Sequence, residues 1–229
     1  EFHIQENGNT WWDDFAVTAF DEPYPELKAG TAQGHINAML DADGILRHSL
    51  WSVTTPDNTE VPSLAAVTAA KYLAYQSGTE EQTADLDMVK RYLMEPPTDA
   101  RGFWYLPFTG LPGDYSESIS VSDILSGAVP ADYFADRIVL IGPYAAGLQD
   151  SYPTAIDHAQ PMYGVEYQAN VIEALLQENY KKEAADSWQY LALFLVTGAF
   201  GLWMWKRKMV PATLGWLVVG GGWMLLARL

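Results

Sequence analysis

Cysteine is absent from the 229 residues, which removes disulfides, thiolate catalysis and cysteine-based zinc sites together. Positive charge is scarce: 13 Lys and Arg stand against 29 Asp and Glu, a formal net charge of −16. A surface this acidic repels phosphate backbones and argues against a nucleic-acid partner. Acid, in turn, is missing from the C-terminal end. Every Asp and Glu lies at or before Asp186, after which only Lys206, Arg207, Lys208 and Arg228 carry charge. Up to Asp186 the balance is 9 positive against 29 negative side chains, or −20. Gly-x-Ser-x-Gly, His-Glu-x-x-His and Ser-x-x-Lys are also missing. A hydrolase is therefore a remote alternative, resting on His158 near Asp150 and Asp157. The chain opens on Glu1 and shows no signal peptide or N-terminal anchor, as expected of a piece of a longer protein. Neither a cofactor nor a metal site is expected.

What is present is 49% hydrophobic sequence, enough for one good core and more. Ile138-Val-Leu-Ile141 is a continuous β-branched and Leu run, which predicts a central strand buried on both faces. Gly142-Pro143 stops it, and a loop from Tyr144 to Thr154 follows. From Gly164 the period changes. Val165, Ala169, Ile172 and Leu176 fall at i, i+4, i+7 and i+11, one apolar stripe of a helix. Strand, loop and helix predict an α/β fold, a mixed sheet with helices on both faces. In such sheets ligands sit at the carboxyl ends of strands. The candidate ligand contacts are therefore Tyr144, Gln149 and Asp150 on that loop, with Trp104. Gly142, Gly147 and Gly164 shape the motif, and Asn170 is expected to hydrogen-bond the nearby loop.

The remaining elements are shorter. Glu1 to Gly30, with Trp11, Trp12, Phe15, Phe20 and Tyr24, reads as the remnant of a strand-and-helix region broken at Pro23 and Pro25. Gly34 to Val53 predicts a β-hairpin turning at Asp41-Ala-Asp-Gly44. Asp41-x-Asp43-Gly44 falls short of a calcium loop, because the third ligand position and the distant bidentate Glu are missing. His35 and His48 lie on the two arms and could face each other. A helix is expected over Val61 to Gln76, with Pro62 in its first turn and Gly78 after its end. A second carries Leu86, Val89 and Leu93 and stops before Pro96-Pro97. Phe103 to Phe108 predicts a strand, Gly110, Pro112 and Gly113 a turn, and Ser122 to Gly127 a capped helical turn.

Two apolar runs close the chain. Trp188 to Trp205 is interrupted only by Gln189 and Thr197, and Met209 to Ala227 only by Thr213. At a rise of ~1.5 Å per residue, each crosses the ~30 Å hydrocarbon layer with modest thinning. Lys206-Arg-Lys208 between them predicts a cytoplasmic turn. The expected organisation is thus a globular domain over 1–187 outside the cell, spans over 188–205 and 209–227, and a turn at 206–208.

Four blocks carry a family resemblance: Gly34-His-Ile-Asn with Asp41-Ala-Asp-Gly44 and Arg47; Trp104-Tyr-Leu-Pro-Phe108; Ser122-Asp-Ile-Leu-Ser-Gly127; and the stretch from Phe134 to Leu176. The last includes Ile138-Val-Leu-Ile-Gly142, Gly147-Leu-Gln-Asp150, Pro161, Gly164-Val-Glu166 and Ala169-Asn170. From about Ala29 onward the chain resembles the type 2 CHASE domain (cyclase/histidine-kinase-associated sensory extracellular). Similar proteins begin with a membrane anchor and an opening α/β segment and carry three spans after the domain. By that comparison the anchor and the opening segment are expected to be missing or truncated here, with two of the three following spans present. The resemblance implies an extracytoplasmic receptor module for an unidentified external ligand, without catalysis of its own. It also implies a homodimer feeding a cytoplasmic adenylate or guanylate cyclase, diguanylate cyclase, histidine kinase or Ser/Thr kinase. The alternative is a dimerisation module with no ligand.

Overall fold

A computed structural model describes residues 2–7, 14–99, 101–115, 119–148, 150–157, 159–182, 185–205 and 209–226. The chain divides into two compact units, Glu1–Lys182 and Glu183–Leu229.

The first unit opens with β1 (Phe2–Asn7) paired antiparallel to β2 (Asp14–Phe20), followed by α1 (Pro25–Gly30). The expected broken remnant is therefore a hairpin and a short helix. Pro25 begins that helix instead of breaking one, because a first-turn residue needs no N–H donor. Trp11 and Trp12 lie outside the described residues. Next come β3 (His48–Leu50), β4 (Ser52–Thr54), β5 (Glu60–Pro62), α2 (Leu64–Gln76), α3 (Leu86–Tyr92) and β6 (Phe103–Tyr105). The unit ends with α4 (Val121–Leu125), β7 (Ser151–Tyr152), β8 (Met162–Tyr163) and α5 (Gly164–Leu176).

Helix α2 packs on α5 and α3. Ala66, Ala69 and Ala70 are fully buried, and their small side chains let the backbones approach closely. Ser63 caps α2, its Oγ accepting from Ala66 N at 3.2 Å, and Gly78 leaves it at φ +77°. The helix starts at Leu64 and not at Val61, because Val61 and Pro62 pair with β4. Met88, Trp104, Met162, Tyr167 and Val171 complete this main core. A second cluster gathers Leu50, Val53 and Phe103, with Phe2, Ile4, Val17 and Met39 against it.

Three expectations give way. The Asp41–Gly44 turn forms, with Gly44 N donating to Asp41 O at 2.8 Å and Asp41 N to Ile45 O at 3.0 Å. Its arms, however, pair elsewhere: His35 bridges Ser63, and β3 pairs with β6. His35 and His48 accordingly have different neighbours, Phe2 for the first and Tyr105 for the second. Secondly, the described residues hold four two-stranded antiparallel sheets and no continuous mixed sheet. Parallel pairing is confined to the isolated bridges His35–Ser63 and Leu46–Thr154. Thirdly, Ile138–Ile141 forms no strand. Val139 and Ile141 are 46% and 82% exposed. Apolar composition favours a buried strand only where a neighbour supplies the ladder, and no described segment does so here.

In the second unit, α6 (Asp186–Met204) and α7 (Met209–Leu226) are joined through residues outside the described set. The Trp203 ring lies against Gly215, where a methyl group would overlap it. Ser187–Met204 is long and apolar enough to cross a membrane and none of it is buried. A helix from the interior of a soluble protein would be mostly buried. The corresponding apolar stretch described within α7, Thr213–Gly222, is shorter.

Candidate functional site

Helix α5 presents Glu166, Asn170 and Glu173 at i, i+4 and i+7, one polar stripe down one face. That stripe straps the loop 109–115 onto the helix. Asn170 is fully buried; its Oδ1 accepts from Thr109 N and Gly110 N, both at 3.0 Å. Its Nδ2 donates to Gly110 O at 3.3 Å and to Glu166 O at 3.1 Å. Glu173 Oε2 accepts from Tyr115 Oη at 2.7 Å and Thr109 Oγ1 at 2.8 Å. These donors hold its carboxyl below the usual carboxylate range, while burial and then Glu173 push the Tyr115 phenol up. The Tyr115 ring lies directly on Gly110, where any Cβ would collide with it. A larger residue there would have to displace the Tyr115 ring.

Glu166 is 2% exposed and accepts from Gly113 N at 2.8 Å and Tyr163 N at 3.0 Å. The second bond is the returning half of a capping box at the start of α5. Tyr144 Oη donates to the same carboxylate at 3.3 Å, and its ring packs on Tyr163 with centroids 4.3 Å apart. Burial, followed by the Glu166 charge, raises the Tyr144 phenol. Gly164 N donates to Asp150 O at 3.0 Å, and the Asp150 carboxylate covers Gly164 so closely that a Cβ would overlap it. Gly142 makes a similar approach, since a Cβ there would lie 2.9 Å from Val165 Cβ.

Beside this first turn runs an open groove of about 520 Å³. Its walls are loop residues Asp114 and Tyr115, the run Ile138–Ile141, and Val165 and Ala169 of α5. The predicted stripe of α5 is thus divided. Ile172 is buried, Val165 and Ala169 face the groove, and the deepest positions are Tyr167, Val171, Ala174 and Leu175.

Tyr144 and Asp150 therefore meet at the start of α5, the first through Glu166 and the second through Gly164. Trp104 is not with them: it is 1% exposed and packs edge-on against Tyr180 at 5.7 Å. Gly147 sits in a 3₁₀ turn, Ala146–Leu148, with nothing within 4 Å of a would-be Cβ. Gln149 and His158 lie outside the described residues. Asp41 and Gly44 shape a separate turn, closed by Arg47. Its Nη1 donates to Asp41 Oδ2 at 2.6 Å and Asp43 Oδ1 at 2.9 Å, and its Nη2 to Asp43 Oδ2 at 2.7 Å. His48 Nδ1 lies 3.0 Å from Asp41 Oδ1. Arg47 draws the Asp43 carboxyl down to about 2. Among the described residues no cluster of three or more His, Asp or Glu is placed to hold a metal ion. Sequence reasoning missed Glu166, Glu173, Tyr115 and the strapped loop, although polar residues spaced four and three apart within an apolar helix are a readable signal.

The family model described as the CHASE2 domain matches residues 4–221. The chain belongs to the CHASE2 domain family. The match begins within β1, so the N-terminal hairpin is part of the CHASE2 region and not an appendage to it. CHASE2 domains are sensory extracellular modules of receptors and are not catalytic. No curated protein and no solved structure matches the chain.

Proposed function

We propose that this CHASE2 chain is the extracytoplasmic sensor of a membrane receptor, with α6 and α7 as a transmembrane hairpin whose 206–208 turn is cytoplasmic. The observation that carries the reading is the wholly unburied apolar helix Ser187–Met204, which follows the Glu1–Lys182 unit within the CHASE2 match. Its exposed Leu, Val, Phe and Trp side chains suit a lipid solvent. Lys206, Arg207 and Lys208 supply the positive charge that favours the cytoplasmic side. Ligand contacts are Tyr144 and Asp150, beside the start of α5, with Gln149, which precedes Asp150 in the sequence. A ligand that binds two arrangements of that region unequally shifts their populations. The shift is passed along α5 towards α6, and the output is a cytoplasmic nucleotide cyclase or protein kinase, working as a homodimer.

The cysteine-free sequence makes orientation directly testable. Ser126→Cys, at an exposed position after α4, is expected to react with a membrane-impermeant maleimide on intact cells. Arg207→Cys is expected to react only after permeabilisation. The reverse pattern, or equal labelling of both, overturns the proposed topology.

A further inference from the structure

Ile138–Ile141 is the most strand-like run outside α6 and α7, and its edge is open. Exposure alternates along it: Ile138 and Leu140 are half-buried, Val139 and Ile141 exposed, the period-two pattern of an extended chain. None of its four N–H or four C=O groups hydrogen-bonds to a described residue. Both components of a docking edge are thus present, an unused backbone ladder and apolar side chains beside it. The adjoining groove adds Ile124, Phe134, Val165 and Ala169 as an apolar floor.

Charge selects the occupant. Exposed Asp114, Asp123, Asp132 and Asp136 lie in or next to the segments that line the groove, and among the described lining residues Arg137 is the one cation, its guanidinium 4.8 Å over the Tyr133 ring. A second copy of the chain would bring the same acidic surface and be repelled. We propose that the Ile138–Ile141 edge docks an extended polypeptide segment with alternating apolar and basic side chains. The segment adds as a neighbouring strand, sets its apolar side chains into the groove and turns Lys or Arg towards the surrounding carboxylates. At ~3.3 Å per residue, four to six residues of such a segment span the edge. This deepens the sensory reading and takes its biological meaning from it, but binding is measured without any signalling output.

The test uses the full chain in detergent and a fluorescein-labelled, end-blocked Lys-Val-Lys-Val-Lys-Val peptide, followed by anisotropy. Saturable binding is expected, at least about tenfold weaker for the Glu-Val-Glu-Val-Glu-Val counterpart because like charges oppose it. Two further peptides carry backbone N-methyl groups on either the Lys or the Val positions. One of the two is expected to lose at least about tenfold and the other little, since only alternate N–H groups face the edge. Ile141→Lys, at a position 82% exposed and so compatible with folding, is expected to weaken binding by at least about tenfold through charge repulsion. No saturable binding, equal binding of the acidic peptide, or equal effects of the two methylation patterns overturns the proposal. So does self-association that Ile141→Lys abolishes, which would assign the edge to a second copy. Each of these failures leaves the maleimide test of topology unaffected.

Discussion

Helix α5 turns polar and apolar residues inward together, whereas α6 turns apolar residues outward along its length. In α5, Asn170 and Glu166 are 0% and 2% exposed and hold hydrogen-bond partners, beside Tyr167 and Leu175 at 1%. In α6, Trp188, Phe194 and Leu195 are 69%, 73% and 58% exposed. A buried amide is tolerable because backbone donors meet it. With α6 in the membrane, as proposed, an exposed aromatic row is tolerable because the surrounding solvent is lipid. The first helix is specified by its neighbours and the second by its medium, so damage to one should leave the other intact.

The strongest way to break this comparison is Leu195→Asp in α6. A carboxylate at the middle of a span costs about 3 kcal/mol of insertion free energy, so membrane fractionation should show loss of the integrated protein. The urea midpoint of the Glu1–Lys182 unit should stay where it was. Asn170→Ala is the converse: it strands Thr109 N, Gly110 N and Gly110 O and should lower stability by about 3 kcal/mol with unchanged membrane recovery. If Asn170→Ala also reduced insertion, the two helices would not be independent.

His35 sharpens the contrast, because with Trp51 Nε1 and Thr154 Oγ1 it is among the buried polar groups left without a partner among the described residues. Neither ring nitrogen has a hydrogen-bond partner among the described residues, and burial draws its pKa down to about 3 from the ordinary 6.5. The folded state therefore holds the neutral ring while the unfolded chain takes up a proton first. Stability should be full above about pH 6.5 and fall as pH drops towards 3, by about 1.4 kcal/mol per pH unit. Denaturant titrations at pH 7 and pH 5 should show this slope, and His35→Leu should flatten it. The smallest expected effect is Tyr115→Phe, about 1 kcal/mol after allowing for solvent at this half-exposed bond, with loop 109–115 becoming the preferred site of proteolysis.

What sequence made legible was local. The periodicity of Leu86, Val89 and Leu93, the alanines of α2 and the apolar run of α6 each carry their own helix signal. Gly44 at φ +77° follows from the Asp-Gly turn. What stayed hidden depends on partners far along the chain. The pairing of β3 with β6 joins His48 to Tyr105, and nothing in either three-residue segment names the other. The run Ile138–Ile141 declares its preference for a strand but not whether a neighbour exists. At the candidate site, the loop made Tyr144 and Asp150 readable as candidates, while Glu166 and Glu173 went unread because acidic residues on a helix ordinarily face solvent. Trp104, a candidate ligand contact from the sequence, is 1% exposed and packs edge-on against Tyr180.

The turn at Asp41–Gly44 has a further consequence. Arg47 sits between the two carboxylates where a divalent ion would otherwise neutralise them. The counterion is built into the chain, so its supply does not depend on the medium. Hard water, seawater or a chelator should therefore leave the shape of this corner the same. A sensor facing an uncontrolled exterior gains from that arrangement: fluctuations in ambient calcium or magnesium are kept out of this part of its response.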